Sequence, residues 1–191
     1  MKGAYGTSAR SLVPVMVVLV CAVACQGRDM AVEASAVAVI RAPESAESRT
    51  LVKFELPGEV AGAEVEFAVV EYAAAVSSSD AAGVVTLDVF PVTTEWDGDT
   101  VAWSDGWSAA GGDFDPERHA VWTAVSGEGS VVRFDVTEMA AAWVSGTSAN
   151  LGLIVRSAPG EVGTAEPAET AGDRGGPVLR IWYTGPERHR R

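Results

Sequence analysis

The sequence predicts an all-β chain, a sandwich or barrel of short antiparallel strands with one short helix. Three observations carry that prediction. Apolar residues recur with period two through most of the body. Turn chemistry punctuates these runs at Pro57-Gly58, Ala82-Gly83, Asp97-Gly98, Gly127-Glu128-Gly129 and Ser145-Gly146. One stretch, Thr137 to Val144, departs from the period, with Met139 and Trp143 four residues apart on one helical face.

The N-terminus precedes this body. Lys2 and Arg10 are the only charges ahead of Leu12 to Ala24, an almost wholly apolar run that ends in the small residues Ala22-Val23-Ala24 before Cys25. A basic start, a short apolar centre and a small-residue exit describe a secretory signal. Roughly 13 apolar residues cover about 20 Å as a helix, short of a ~30 Å hydrocarbon core. Cys25 directly after Ala24 resembles a bacterial lipobox, which implies acylation of the Cys25 thiol and a membrane-anchored lipoprotein of the outer membrane or cell surface. The alternative is an ordinary signal peptide and a secreted protein; the chain leaves the cytoplasm either way. Both cysteines, Cys21 and Cys25, stand here, so cleavage before Cys25 leaves a body without an internal disulfide.

Residues 1–24 hold two of the 14 Lys+Arg and none of the 26 Asp+Glu, so the remainder carries −14 against −12 for the whole chain. That charge argues against nucleic acid and other polyanions as partners. Residues 25–35 read as a tether, small and polar, and residues 185–191 as a basic tail around Arg188-His189-Arg190-Arg191. Between them, 36–184 is long enough for one domain with one core.

The strands follow in order. Val52, Phe54 and Leu56 alternate with Lys53 and Glu55, and Val65, Phe67 and Val69 with Glu64, Glu66 and Ala68. Val85, Leu87 and Val89 alternate with Thr86 and Asp88, and Val132, Phe134 and Val136 with Arg133 and Asp135. Leu151, Leu153 and Val155 obey the same rule, as do Leu179, Ile181 and Tyr183. Each run offers one apolar face, as antiparallel strands packed on one side require. Thr137 or Asp135 is placed to cap the helix and Gly146 to end it. Ala158 to Gly176 is rich in Gly, Pro, Ala, Glu and Thr without periodicity and reads as a long loop.

Three ordered segments resemble the DNRLRE (disaggregatase-related) domain of secreted surface proteins. The first is Leu51-Val52-Lys53-Phe54-Glu55-Leu56-Pro57 followed by Ala61 to Val65; the second runs from Val89-Phe90-Pro91-Val92-Thr93 through Glu95-Trp96 to Thr100-Val101-Ala102-Trp103. The third, and most specific, is Phe134-Asp135-Val136-Thr137, then Ala142-Trp143-Val144 and Asn150-Leu151-Gly152-Leu153. The resemblance spans roughly 36–184. It implies a jelly-roll β-sandwich, carbohydrate-binding-module-like and without catalysis, on a cell-surface protein.

The chemistry-bearing residues are few in kind. Six tryptophans, Trp96, Trp103, Trp107, Trp122, Trp143 and Trp182, all lie in the second half. Exposed aromatic faces bind sugar rings by stacking, whereas large aromatics otherwise fill cores. Trp96, Trp103 and Trp143 are expected in the core. Trp107, in Ser104-Asp105-Gly106-Trp107-Ser108, has little near it in sequence to bury it and leads the ligand candidates. Trp122 and Trp182 on strands follow, with Asp97 and Asp105 as polar partners. Asp97, Asp99, Asp105, Asp113 and Asp115 cluster in the loops up to Pro116. Asp97, Asp99 and Asp105 are a candidate calcium site, although the cluster lacks EF-hand spacing and solvated loop carboxylates are the plainer reading. No other cofactor is implied.

His119 is the only histidine before the tail, and no Gly-x-Ser-x-Gly, His-Glu-x-x-His or Gly-rich phosphate loop occurs. The sequence reading is therefore not an enzyme but a binding module for a neutral glycan or cell-surface polysaccharide. The alternative is a structural or protein-docking surface domain that binds no glycan.

Overall fold

The computed structural model describes residues 27–79, 81–125, 127–159, 161, 163–167 and 176–185. The signal segment, Cys25 and the run from Arg188 to Arg191 lie outside the described residues.

Strand β1 (Arg28–Arg41) joins two antiparallel sheets. Its first half pairs with β9 (Val178–Thr184), from Arg28 opposite Tyr183 to Glu33 opposite Val178. Its second half pairs with β2 (Ser48–Phe54), and the register shifts between Ala34 and Ala36 where the partner changes. The first sheet continues from β9 to β3 (Glu64–Ser78) and β6 (Gly127–Asp135), with β8 (Gly163–Pro167) alongside the far half of β3. The second continues from β2 to β7 (Leu153–Ser157), β4 (Val84–Pro91) and β5 (Ala120–Val125). Successive strands thus cross repeatedly between sheets, and the fold is a jelly-roll-like β-sandwich with one helix, α1 (Thr137–Ser145).

The main core lies between the sheets. Val52, Phe54, Leu87 and Leu153 meet Val70, Phe134, Leu179 and Ile181, all essentially without solvent exposure. Met139, Ala140, Trp143 and Val144 of α1 belong to the same core. The Thr137 backbone N–H donates to Asp135 Oδ1 at 3.0 Å, and Gly146 ends the helix at φ 74 with its N–H on the Trp143 carbonyl. A buried polar group bridges the two sheets: the Ala165 carbonyl of β8 accepts from Thr50 Oγ1 of β2 at 3.3 Å and from the Tyr72 hydroxyl of β3 at 3.2 Å. Burial pushes the Tyr72 phenol pKa far above its ordinary value.

Three expectations are corrected. The stretch expected as a tether up to residue 35 is mostly strand, because β1 begins at Arg28 and alternates exposed and half-buried positions through Val32, Ala34 and Ala36. Ala34, Ala36 and Ala38 weaken that alternation and disguise it. In β3, Val65, Phe67 and Val69 do not share a face: the register shifts between Val65 and Phe67, so Ala68, Val70 and Tyr72 fill the core and Phe67 turns outward. The aperiodic stretch after Ala158 contains β8, whose Gly163 sits so tightly that a Cβ there would meet Val85 and the Ser77 carbonyl.

Candidate functional site

Strands of the second sheet are apolar on both faces. Leu51 beside Val52, Phe90 beside Val89, and Ile154 between Leu153 and Val155 are all buried. Such doubly buried strands need a cover on their outer side. The segment after β4, residues 92–119, provides it. Ile40, Leu51, Phe90, Val92, Trp96 and Ile154 form a second core, with Val101, Trp103, Trp107 and Phe114 packed against it.

This cover is fastened at defined points. The Val92 backbone N–H donates to the Gly152 carbonyl at 2.9 Å, and Val92 bridges to Phe114. Trp96 Nε1 donates to the Leu151 carbonyl at 2.8 Å, and Trp107 Nε1 to the Ala102 carbonyl at 2.8 Å. The Asp113 carboxylate gathers the loop. It accepts from the Ser108 backbone N–H and hydroxyl, each at 2.8 Å, from Thr94 Oγ1 at 2.9 Å and from the Ala109 N–H at 3.1 Å. These bonds, the Ser108 backbone N–H foremost, hold its pKa down to about 2 from an ordinary 3.8.

A cavity of about 630 Å³ opens in this cover, lined by Trp96, Trp107, Thr100, Glu95, Asp97 and Asp105 among others. Trp107 is half-buried, with its indole nitrogen engaged inward, while Asp97 and Asp105 are exposed. The Asp97 Oδ1 accepts the Asp99 backbone N–H at 2.9 Å, the bond of an acidic turn. The arrangement sets an aromatic wall beside three carboxylates, Glu95, Asp97 and Asp105. It suits a ligand with apolar C–H faces and many hydroxyl donors, and it repels anions.

Trp107, Asp97 and Asp105, expected together from the sequence, do line one cavity. The other two ligand candidates stand elsewhere. Trp122 lies on β5 opposite Leu87, half-buried against the main core. Trp182 lies on the first sheet, at the outer surface, with its ring centre 5.2 Å from that of Phe67. Among the described residues, no three His, Cys, Asp or Glu side chains form a group able to hold a metal ion, so Asp97, Asp99 and Asp105 make no convergent ligand set. His119 is exposed and stacks over Phe90 with ring centres 5.7 Å apart.

Two participants were not singled out from the sequence as site residues. Glu95 lines the cavity, and nothing in its spacing distinguishes it from the other acids. Arg49 supports the cover from β2: its guanidinium lies 4.8 Å from the Trp103 ring centre, and Nη1 donates to the Gly111 carbonyl at 2.7 Å. No known family model matches the chain, and no curated protein matches it.

Proposed function

We propose that the chain is an exported module, anchored through an acylated Cys25, that binds neutral saccharide chains at the cell surface without transforming them. The observation that carries this reading is the meeting of Trp107, Asp97 and Asp105 in one cavity on the outer side of the second sheet. An indole edge and face offer contact to the C–H side of a pyranose, and the carboxylates accept its hydroxyls. The surplus of negative charge in that cavity and over the chain favours neutral over acidic glycans. The resemblance to DNRLRE domains supports a surface-binding role without catalysis.

The test is a glycan array probed with the full chain, with Trp107→Ala and Asp105→Ala alongside. The reading expects neutral oligosaccharides among the hits and about tenfold weaker binding in Trp107→Ala, equivalent to ~1.4 kcal/mol. Hits that survive Trp107→Ala unchanged, or a preference for polyanionic glycans, would count against it.

A further inference from the structure

Two arginines stand side by side on the outer face of the second sheet. Thr50 of β2 pairs with Val155 of β7, so Arg49 and Arg156, one step along, are cross-strand neighbours. The Phe114 ring centre lies 6.0 Å from the Arg49 guanidinium and 5.5 Å from that of Arg156. The Arg156 guanidinium also lies 5.6 Å from the Phe90 ring centre. Like charges opposite each other across a ladder repel. Arg49 is compensated by Glu47, whose Oε1 accepts from its Nε and Nη2. Arg156 is not. Its Nε is buried with no hydrogen-bond partner, and among the described residues no ion pair engages its guanidinium. Asp88 of β4 stands opposite Arg156 on the side away from Arg49, without forming an ion pair with it.

The two arginines line a cavity of about 510 Å³ together with Ser45, Ser157, Glu47 and Glu161. The formal charges of that wall balance, but both carboxylates are already engaged. Arg49 holds Glu47, and Glu161 Oε2 accepts the Thr86 backbone N–H at 2.6 Å. Arg156 is therefore the cation in the wall that no carboxylate holds. Ser45 Oγ accepts the Glu47 N–H at 3.2 Å, which leaves its own proton free to donate. Ala158 and Pro159 add apolar surface to the same wall. A planar guanidinium takes a carboxylate through paired N–H donors. The acidic excess of the chain repels polyanions at long range, so the occupant that fits carries one negative charge.

We propose that this cavity binds a small organic carboxylate, with Arg156 and the Ser45 hydroxyl on the carboxylate and Ala158 and Pro159 against its hydrocarbon part. The site is separate from the saccharide cavity and stands whether or not a glycan binds at Trp107.

The test titrates sodium butyrate into the ¹⁵N-labelled full chain at neutral pH and constant ionic strength, following the Arg156 Nε–Hε resonance. The buried Nε is sheltered from solvent exchange and reports on its own guanidinium. Butyrate should shift that resonance saturably in the millimolar range, and the neutral isostere butyramide should leave it in place. Arg156→Gln, followed through the Ser45 backbone resonance, should bind butyrate about tenfold more weakly or not at all. No saturable shift in the parent chain, or an equal shift with butyramide, would overturn the site. Inorganic phosphate shifting the resonance as strongly as butyrate would overturn the carboxylate assignment. The parent titration decides the matter even if Arg156→Gln fails to fold.

Discussion

Arg49 and Trp103 lock the cover onto the second sheet. The guanidinium lies 4.8 Å from the Trp103 ring centre, donates to the Gly111 carbonyl at 2.7 Å, and gives Nε and Nη2 to Glu47 Oε1 at 3.0 and 2.7 Å. A side chain of β2 thus holds both the floor of the loop and a carbonyl within it. Lysine keeps the charge but loses the planar fork and much of the stacking. Arg49→Lys should lower stability by about 1–2 kcal/mol through these lost contacts. Chemical denaturation checks the magnitude. Saccharide affinity should fall as well, because the cavity shares this cover.

Thr50 and Tyr72 should be coupled. Each donates to the same Ala165 carbonyl from opposite sheets, so either alone leaves that oxygen one of these donors. Tyr72→Phe or Thr50→Val should each cost about 1 kcal/mol. The double variant should cost more than the sum, by ~0.5 kcal/mol or more in a double-mutant cycle. Strict additivity would contradict the coupling of the two donors through the Ala165 carbonyl.

Gly152 should tolerate no side chain. Its φ is 95, and a Cβ there would stand 2.5 Å from the Val52 carbonyl oxygen of β2. Gly152→Ala should destabilise by about 2 kcal/mol or more, since left-handed strain alone costs ~1–2 kcal/mol. A thermal melt indistinguishable from the parent would contradict the close approach.

Acid should loosen the cover through Asp113. Its pKa is depressed in the folded chain, from 3.8 to about 2, so its bonds contribute stability that is complete above pH 3.8. That contribution is lost as pH falls from there through about 2. Asp113→Asn should be less stable than the parent at pH 7, with the difference shrinking toward pH 2. Melting temperatures of both proteins across that range measure it.

Much of the fold was legible in the sequence, because alternation marks a strand wherever one face is packed. Val85, Leu87 and Val89, or Leu179, Ile181 and Tyr183, all occupy the core faces that alternation assigned. What escaped has physical causes. Alanines hold the middle inward positions of β1, Ala34, Ala36 and Ala38, and barely register as apolar beside Glu33 and Ser35. One extra residue in β3 reverses the faces on either side of it, and nothing local to Glu66 announces this. The second core had a visible signal in Leu51, Phe90 and Ile154, apolar residues on the supposedly wet side of their strands. That signal says a cover exists, not which segment supplies it. Of the candidate ligand residues, Trp107, Asp97 and Asp105 lie close in sequence and line one cavity, whereas Trp122 and Trp182 are separated by sheet and face.

A saccharide seated against Trp107 is most directly probed through that residue's indole N–H. That group donates to the Ala102 carbonyl at 2.8 Å beside the cavity, whereas Trp143 is buried in the main core. Titrating a neutral oligosaccharide into ¹⁵N-labelled protein should shift the Trp107 indole resonance in a saturable way and leave that of Trp143 in place. Saturable binding that leaves the Trp107 resonance unmoved would contradict a saccharide seat at Trp107.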